Sequence, residues 1–163
     1  MSVQSNDNGR LRIENELMAA LNGDNLKNAM DFIAYMKASG MTPHAEHYSA
    51  FEYEGKWVCI IIIMDIDGAP GWVVFDNPLT KLDDFPLDEQ FAHLKDFAWA
   101  SAHVCGKCGC GSQPGQKKLI FGKEFDNICT SEAAFWNPDA AAVKNMISMI
   151  DIWKENGATV LPD

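Results

Sequence analysis

The run Trp57-Val58-Cys59-Ile60-Ile61-Ile62-Ile63-Met64 constrains the fold more than any other stretch of the chain. In an extended strand, alternate side chains point to opposite faces. Trp57, Cys59, Ile61 and Ile63 would form one face, and Val58, Ile60, Ile62 and Met64 the other, so neither face is polar. The density of β-branched residues favours strand over helix. A strand with no polar face is expected to be covered on both sides, which predicts a central position in its sheet. As a helix the run would be far short of the roughly 20 residues needed to span a bilayer. Tyr48–Tyr53 is aromatic-rich and precedes it across a plausible Glu54-Gly55 turn. Asp67-Gly68-Ala69-Pro70-Gly71 follows it, and Trp72–Phe75 returns as a third strand. The pattern predicts an antiparallel β-meander.

Helices flank the meander. Leu11–Leu21 reads as a short helix with Leu11, Leu17, Met18 and Leu21 apolar, and residues 1–10 are polar and expected to be disordered. After Asn22-Gly23, Asp24 is the expected N-cap of a second helix. Its apolar stripe is Leu26, Ala29, Met30, Ile33 and Ala34, and its stop is Gly40. Pro86 suits the first position of a third helix, with Asp88 and Glu89 near its positive end and Leu87, Phe91, Leu94 and Ala98 as its buried stripe. Lys117–Phe121 reads as a strand, Gly122-Lys123 as a turn and Ile128–Trp136 as a weaker extended segment. Asn137-Pro138 then caps a last helix with Val143, Met146, Ile147, Ile150 and Trp153 on its apolar side, ended by Gly157. The order α, α, β, β, β, α, cysteine loop, β, β, α predicts an α+β class. In it, an antiparallel meander packs on helices beside a Cys-rich metal-binding loop and hairpin. With 163 residues and no repeat or linker, a single domain over 11–163 is expected.

Four of the five cysteines lie between 105 and 129. Cys105-Gly106-Lys107-Cys108-Gly109-Cys110 opens with C-x-x-C spacing, which lets two thiolates face one ion while nearby amides relieve their charge. The glycines permit the tight turns such a knuckle requires. Cys129 lies across the Leu119–Ile128 hairpin and can return to the loop. Four thiolates suit a tetrahedral zinc ion, so Cys105, Cys108, Cys110 and Cys129 form the expected metal set. Cys108 and Cys110 are close together for simultaneous ligation, and His103 is a substitute ligand whose simpler reading is a partly exposed helix-end histidine. An iron–sulfur cluster, a redox C-x-x-C and plain reduced thiols are the competing readings. Cys59 reads as a small buried hydrophobe.

The formal net charge is −10, which repels phosphate backbones and anionic lipid; neither nucleic acid nor membrane is expected as a partner. Lys107, Lys117, Lys118 and Lys123 surround the cysteines, where local charge balance beside thiolates accounts for them. No signal-peptide pattern opens the chain, so a cytoplasmic location is expected, where thiols stay reduced.

His44-Ala45-Glu46 with Cys105-Gly-Lys-Cys108 is similar to the zinc-deaminase signature, but no proline precedes Cys105 and a whole meander separates the halves. The aromatic residues Tyr48, Tyr53, Trp57, Trp72 and Trp99 could line a small-molecule pocket, although sheet–helix core is the simpler role. Asp65, Asp67, Asp76, Asp83 and Asp84 lack EF-hand spacing. No nucleophile-elbow, P-loop or dinucleotide glycine pattern occurs. These observations predict a zinc-stabilised binding or interaction domain with a small-molecule or protein partner. The alternative is a small zinc-dependent enzyme, hydrolase or deaminase-like, with an open metal position and Glu124 or Glu46 as base.

Several stretches together resemble a group of small bacterial proteins to which no activity is assigned. They are Cys105-Gly-Lys-Cys108, Pro114-Gly115, Ile120-Phe-Gly-Lys-Glu-Phe-Asp-Asn-Ile-Cys129, Asn137-Pro-Asp139 and Phe85-Pro-Leu-Asp-Glu89. The resemblance covers the C-terminal half and implies a cysteine-bearing α+β domain. In similar proteins the third cysteine lies a few residues later than Cys110.

Overall fold

The computed structural model describes residues 5–44, 47, 49–76, 92–106 and 115–157. Its elements are α1 (Ser5–Ala20), α2 (Gly23–Ala38), β1 (Thr42–Pro43), β2 (Ala50–Tyr53), β3 (Lys56–Ile66), β4 (Ala69–Asp76), α3 (Ala92–Ala100), β5 (Ala102–Val104), β6 (Gln116–Ile120), β7 (Lys123–Trp136) and α4 (Ala140–Gly157). Hydrogen bonding orders the seven strands β1-β2-β3-β4-β7-β5, with β6 also on β7. The pairs β1–β2, β2–β3, β5–β7 and β6–β7 are all antiparallel. The class is therefore α+β with an antiparallel sheet. The chain divides into two compact units, Met1–Val74 with Phe135–Ile147, and Phe75–Ala134 with Ser148–Asp163. Among the described residues no helix is long and apolar enough to cross a membrane.

In the first unit, α1 begins at Ser5, well before the first apolar position on which its prediction rested. Backbone bonding propagates a helix through polar residues too, so part of the stretch expected to be disordered is helical. Ile13 and Leu17 on α1 are buried, as is Leu21 just past its end. The N-cap of α2 is Asn22, extended at φ −144°, rather than Asp24. Gly23, at φ 53°, takes the first helical place, which leaves Asp24 in the first turn, where its charge still favours the helix dipole. The buried face of α2 is Asn28, Ala29, Phe32, Ile33 and Met36. Leu26 and Met30 are half-buried and Ala34 is exposed. The helix has rolled toward Phe32 and Met36, because burying these larger side chains removes more apolar surface from water than burying Ala34. Gly40, at φ 77°, ends the helix as expected. Gly40 N donates to Lys37 O at 3.2 Å and Met41 N to Met36 O at 3.0 Å, a Schellman arrangement that positive φ makes possible.

The β2–β3 hairpin turns at Glu54-Gly55, both at positive φ, as a two-residue type I′ turn requires. Asp67-Gly68 makes the next turn in the same way, with Gly68 N donating to Asp65 Oδ1 at 2.8 Å. That tight turn lets β4 start at Ala69, so Ala69-Pro70-Gly71 belongs to the strand and not to a longer loop. The burial of β3 is uneven. Val58, Cys59 and Ile61 are buried, whereas Ile62 is 40% and Met64 39% exposed. Expected coverage on both faces therefore holds for the first half of the strand only.

In the second unit, α3 buries Leu94 and Ala98 as expected; Pro86, Leu87 and Phe91 lie outside the described residues. A short strand, β5, intervenes between α3 and Cys105. The β6–β7 hairpin turns at Phe121-Gly122, one residue earlier than the sequence suggested, with φ 47° and 77°. Gly122 thereby occupies the second central position, where positive φ is cheapest for glycine. β7 spans 14 residues and is the longest strand among the described residues. It is stabilised from both sides, since Ile128 pairs with Val104 on β5 and with Gln116 on β6; this is why a segment of modest β propensity is strongly extended.

The N-terminus of α4 is capped by Asp139, whose Oδ1 accepts from Ala142 N at 2.8 Å, while Asn137 is committed to β4 instead. Val143, Met146, Ile150 and Trp153 are buried as expected, joined by Met149 and Ile152.

Candidate metal centre

Cys105 and Cys129 lie beside the β5–β7 ladder. Val104 pairs with Ile128, so Cys105 follows the pair on one strand and Cys129 follows it on the other. Diagonal neighbours of this kind have Cα atoms about 7–8 Å apart. The ladder is irregular here, because the register shifts between Ala102 and Val104. Cys105 is half-buried and Cys129 is buried. Both carry thiols, as does buried Cys59 on β3.

Asn127 organises the base of the loop. Cys105 N donates to Asn127 O at 2.7 Å. The Asn127 carboxamide then works in two directions: Nδ2 donates to Cys105 O at 3.2 Å, and Oδ1 accepts from Gly115 N at 2.9 Å. Asn127 holds this geometry in the left-handed region, at φ 60°, which asparagine tolerates better than most residues. Gly115 is required by space. A Cβ there would lie inside contact distance of the Asn127 backbone carbonyl and 2.7 Å from its Oδ1. Gly106, at φ 101°, turns the chain immediately after Cys105.

Cys108 and Cys110 lie outside the described residues, as does Lys107. Among the described residues no group of three His, Cys, Asp or Glu side chains is disposed to hold a metal. His103 is not at a helix end. It sits on β5, 3% exposed, with its ring 5.3 Å from that of Phe75. Two of the lysines expected to balance the thiolates have other partners. Lys117 Nζ is 2.9 Å from Glu124 Oε2, an exposed ion pair. Lys123 Nζ lies 5.1 Å from the ring centres of both Trp99 and Phe125, where a cation is attracted to the aromatic faces. Glu124, the candidate base of the enzymatic alternative, is thus a solvent-facing partner of Lys117, and Glu46 lies outside the described residues.

Four of the five candidate pocket aromatics lie among the described residues. Tyr48 is outside the described residues. In the first unit, Trp72 is fully buried, its ring 6.3 Å from Phe32, so it is core. Tyr53 and Trp57 are half-buried. In the second unit, Trp99 is half-buried and its Nε1 donates to Ile120 O at 2.7 Å. Trp57 stacks with His44 at 4.8 Å and approaches His47 at 6.2 Å, a grouping that the sequence does not announce because Trp57 comes beside His44 and His47 only once β1, β2 and β3 have paired. A depression of about 410 Å³ in the first unit is lined by Asp24, Lys27, Asn28 and Asp139–Ala141. Three of its polar side chains are already engaged. Asp139 caps α4, and Asn28 Nδ2 donates to Pro138 O at 3.3 Å. Lys27 donates to Asp31 at 2.7 Å, which raises the pKa of its ammonium group.

No protein-family model, curated protein or solved structure matches this chain.

Proposed function

We propose that Cys105, Cys108, Cys110 and Cys129 hold one zinc ion, and that the chain is a metal-stabilised binding or interaction domain. The supporting observation is the bonding around Asn127, which ties Cys105 and Gly115, at the two ends of the cysteine-bearing segment, to the strand that carries Cys129. Two distant parts of the chain that both bear thiols are thereby joined by one backbone bond and by two bonds through the Asn127 carboxamide. Four thiolates around one zinc leave no open position for a substrate or water, which makes the site structural. The ligands are deprotonated on binding, so the free energy of metal capture adds to that of folding. The thiols must be reduced for the site to form, which suits a reducing compartment such as the cytosol.

The test is elemental analysis of the purified protein together with a thiol count, wild type against Cys105→Ser. The expected result is about one zinc per chain, lost in the variant, with thiols shielded in the native state and released by a chelator. A wild-type protein without metal, with all five cysteines titrating in the native state, overturns the reading. A site holding three sulfurs and a water would point to the enzymatic alternative.

A further inference from the structure

We propose that Asn22-Gly23, at the junction of α1 and α2, is a site of spontaneous covalent modification. The Asn22 carboxamide is converted there, through a cyclic imide, to aspartate and isoaspartate. The chain contains three Asn-Gly steps. Glycine is the follower that least obstructs the reaction, because it has no Cβ to crowd the attacking nitrogen. The fold treats the three steps differently. Asn8-Gly9 lies inside α1, and Asn156-Gly157 lies in the last turn of α4. Helical backbone directs each peptide N–H at the carbonyl four residues back, so there the glycine nitrogen is engaged and ring closure must break the helix locally. Asn22 instead precedes its helix. It is exposed, with extended backbone at φ −144° and ψ 175°. An N-cap asparagine commonly bonds the first-turn amides through its side chain. That of Asn22 makes no such bond, so its carboxamide carbon is open to attack. Gly23 N is the first N–H of α2 and has no intrahelical acceptor. Gly23 sits at φ 53°, and a Cβ on it would meet nothing within 4 Å, so the space beside the nucleophile is open as well.

Solvent base takes the Gly23 N–H proton, and the nitrogen attacks Asn22 Cγ. A bond forms between Gly23 N and Cγ. The bond from Cγ to Nδ2 breaks, and the side-chain nitrogen takes up a proton and leaves as ammonia. Water then opens the imide. Addition at Cγ breaks the new bond and leaves aspartate. Addition at the Asn22 main-chain carbonyl carbon breaks the original peptide bond and leaves isoaspartate. Water is the co-reactant, and nothing is oxidised or reduced. The two products act differently on α2. Aspartate keeps the main chain intact and places a carboxylate at the positive end of the helix, where it is favoured. Isoaspartate routes the main chain through the former side chain, adding a methylene to the Leu21-Asn22 link between α1 and α2. The oxygen that Leu26 N reaches at 3.2 Å then belongs to a side carboxylate and no longer to the peptide that starts the helix.

The experiment uses the purified full chain, incubated at mildly alkaline pH and followed by peptide mass spectrometry, with aspartate and isoaspartate peptides separated by chromatography. The peptide carrying Asn22 is expected to convert several-fold faster than those carrying Asn8 and Asn156, and to yield both isomers. In chain unfolded by urea the three steps are expected to convert at similar rates, because the fold no longer distinguishes them. Conversion at Asn8 or Asn156 as fast as at Asn22 in the folded chain overturns the inference. The same preference for Asn22 in urea overturns it too, since the fold would then not be its cause. Aspartate without isoaspartate would mean direct hydrolysis and no imide. Asn22→Gln supplies a second check, because its longer side chain closes a ring far more slowly. That variant is expected to lose the signal at position 22 while Asn8 and Asn156 convert as before; an undiminished signal at position 22 contradicts the proposed attack on Asn22 Cγ. The isoaspartate form, once separated, is expected to melt below the unmodified protein and the aspartate form to melt no lower. Equal melting of the isoaspartate form and the unmodified protein overturns the effect assigned to α2.

Discussion

Asn137 and Trp72 exchange two hydrogen bonds: Asn137 N donates to Trp72 O at 2.8 Å, and Trp72 N donates to Asn137 Oδ1 at 2.9 Å. Asn137 does so at φ 42°. The arrangement parallels that of Asn127 with Cys105 and Gly115. In both, an asparagine in the left-handed region bonds a neighbouring segment through its main chain and its carboxamide, and a glycine leaves room for it. A Cβ at Gly71 would lie 2.5 Å from Asn137 Oδ1 and 2.7 Å from Ile66 Cδ1.

Gly71→Ala is therefore expected to destabilise the protein by about 1–3 kcal/mol, the usual cost of forcing an extra methyl into a filled space. The measurement is urea unfolding followed by tryptophan fluorescence. The φ of Gly71 lies outside the left-handed region, so the loss would come from crowding. A Gly71→Ala protein as stable as wild type would show that the Asn137 carboxamide does not occupy that space.

Trp72 yields a different expectation. It is fully buried, and among the described residues no acceptor reaches its Nε1. Trp72→Ala is expected to cost about 3–5 kcal/mol, as for other large aromatic residues removed from a core. Trp72→Phe should cost much less than that, because it deletes an N–H that gains nothing from burial and keeps most of the ring contact. Chemical denaturation of the two variants side by side checks the ranking. Near-equal losses would mean that the indole N–H has a partner worth keeping.

The elements legible in the sequence were those governed by local chemistry. Glu54-Gly55, Asp67-Gly68 and Gly40 announced their turns and cap because positive φ is written in residue type. The apolar positions Val143, Met146, Ile150 and Trp153 announced α4 through their spacing. What was not legible depended on neighbours. The length of β7 comes from pairing on both sides of Ile128, and the roll of α2 toward Phe32 and Met36 comes from what it packs against. Asn127 stood in view, in the stretch that resembles other cysteine-bearing chains, two residues before Cys129. Its role needed the fold, since Cys105 and Gly115 reach it only once β5 and β6 have paired with β7.

Adjacent residues on β3 provide a test of its uneven burial. Ile61 is 1% exposed and Ile62 is 40% exposed. Ile61→Ala is expected to cost about 2–5 kcal/mol, the range for large-to-small changes in a core. Ile62→Ala should cost less than about 1 kcal/mol, in keeping with a partly solvated position. Thermal or urea unfolding of the pair gives the comparison directly. Equal losses would mean that the second half of β3 is covered after all.

The last expectation separates cysteines that pack from cysteines that ligate. Cys59 and Cys129 are both buried, so burial alone does not distinguish them. A metal ligand couples stability to the ion, because a ligand that binds only the folded chain stabilises it by RT ln(1 + [L]/Kd). If the proposed zinc site is right, Cys59→Ala is expected to bind zinc as wild type does and to lose about 1 kcal/mol whether or not a chelator is present, since only packing changes. On the same proposal, Cys129→Ala should not bind zinc, and its melting temperature should be the same with and without chelator, while that of wild type falls when the chelator is added. The four measurements form a cycle in which the non-additive part belongs to the metal. A Cys129→Ala protein that still responds to the chelator as wild type does would remove Cys129 from the ligand set, and a Cys59→Ala protein that ceases to respond would put Cys59 into it.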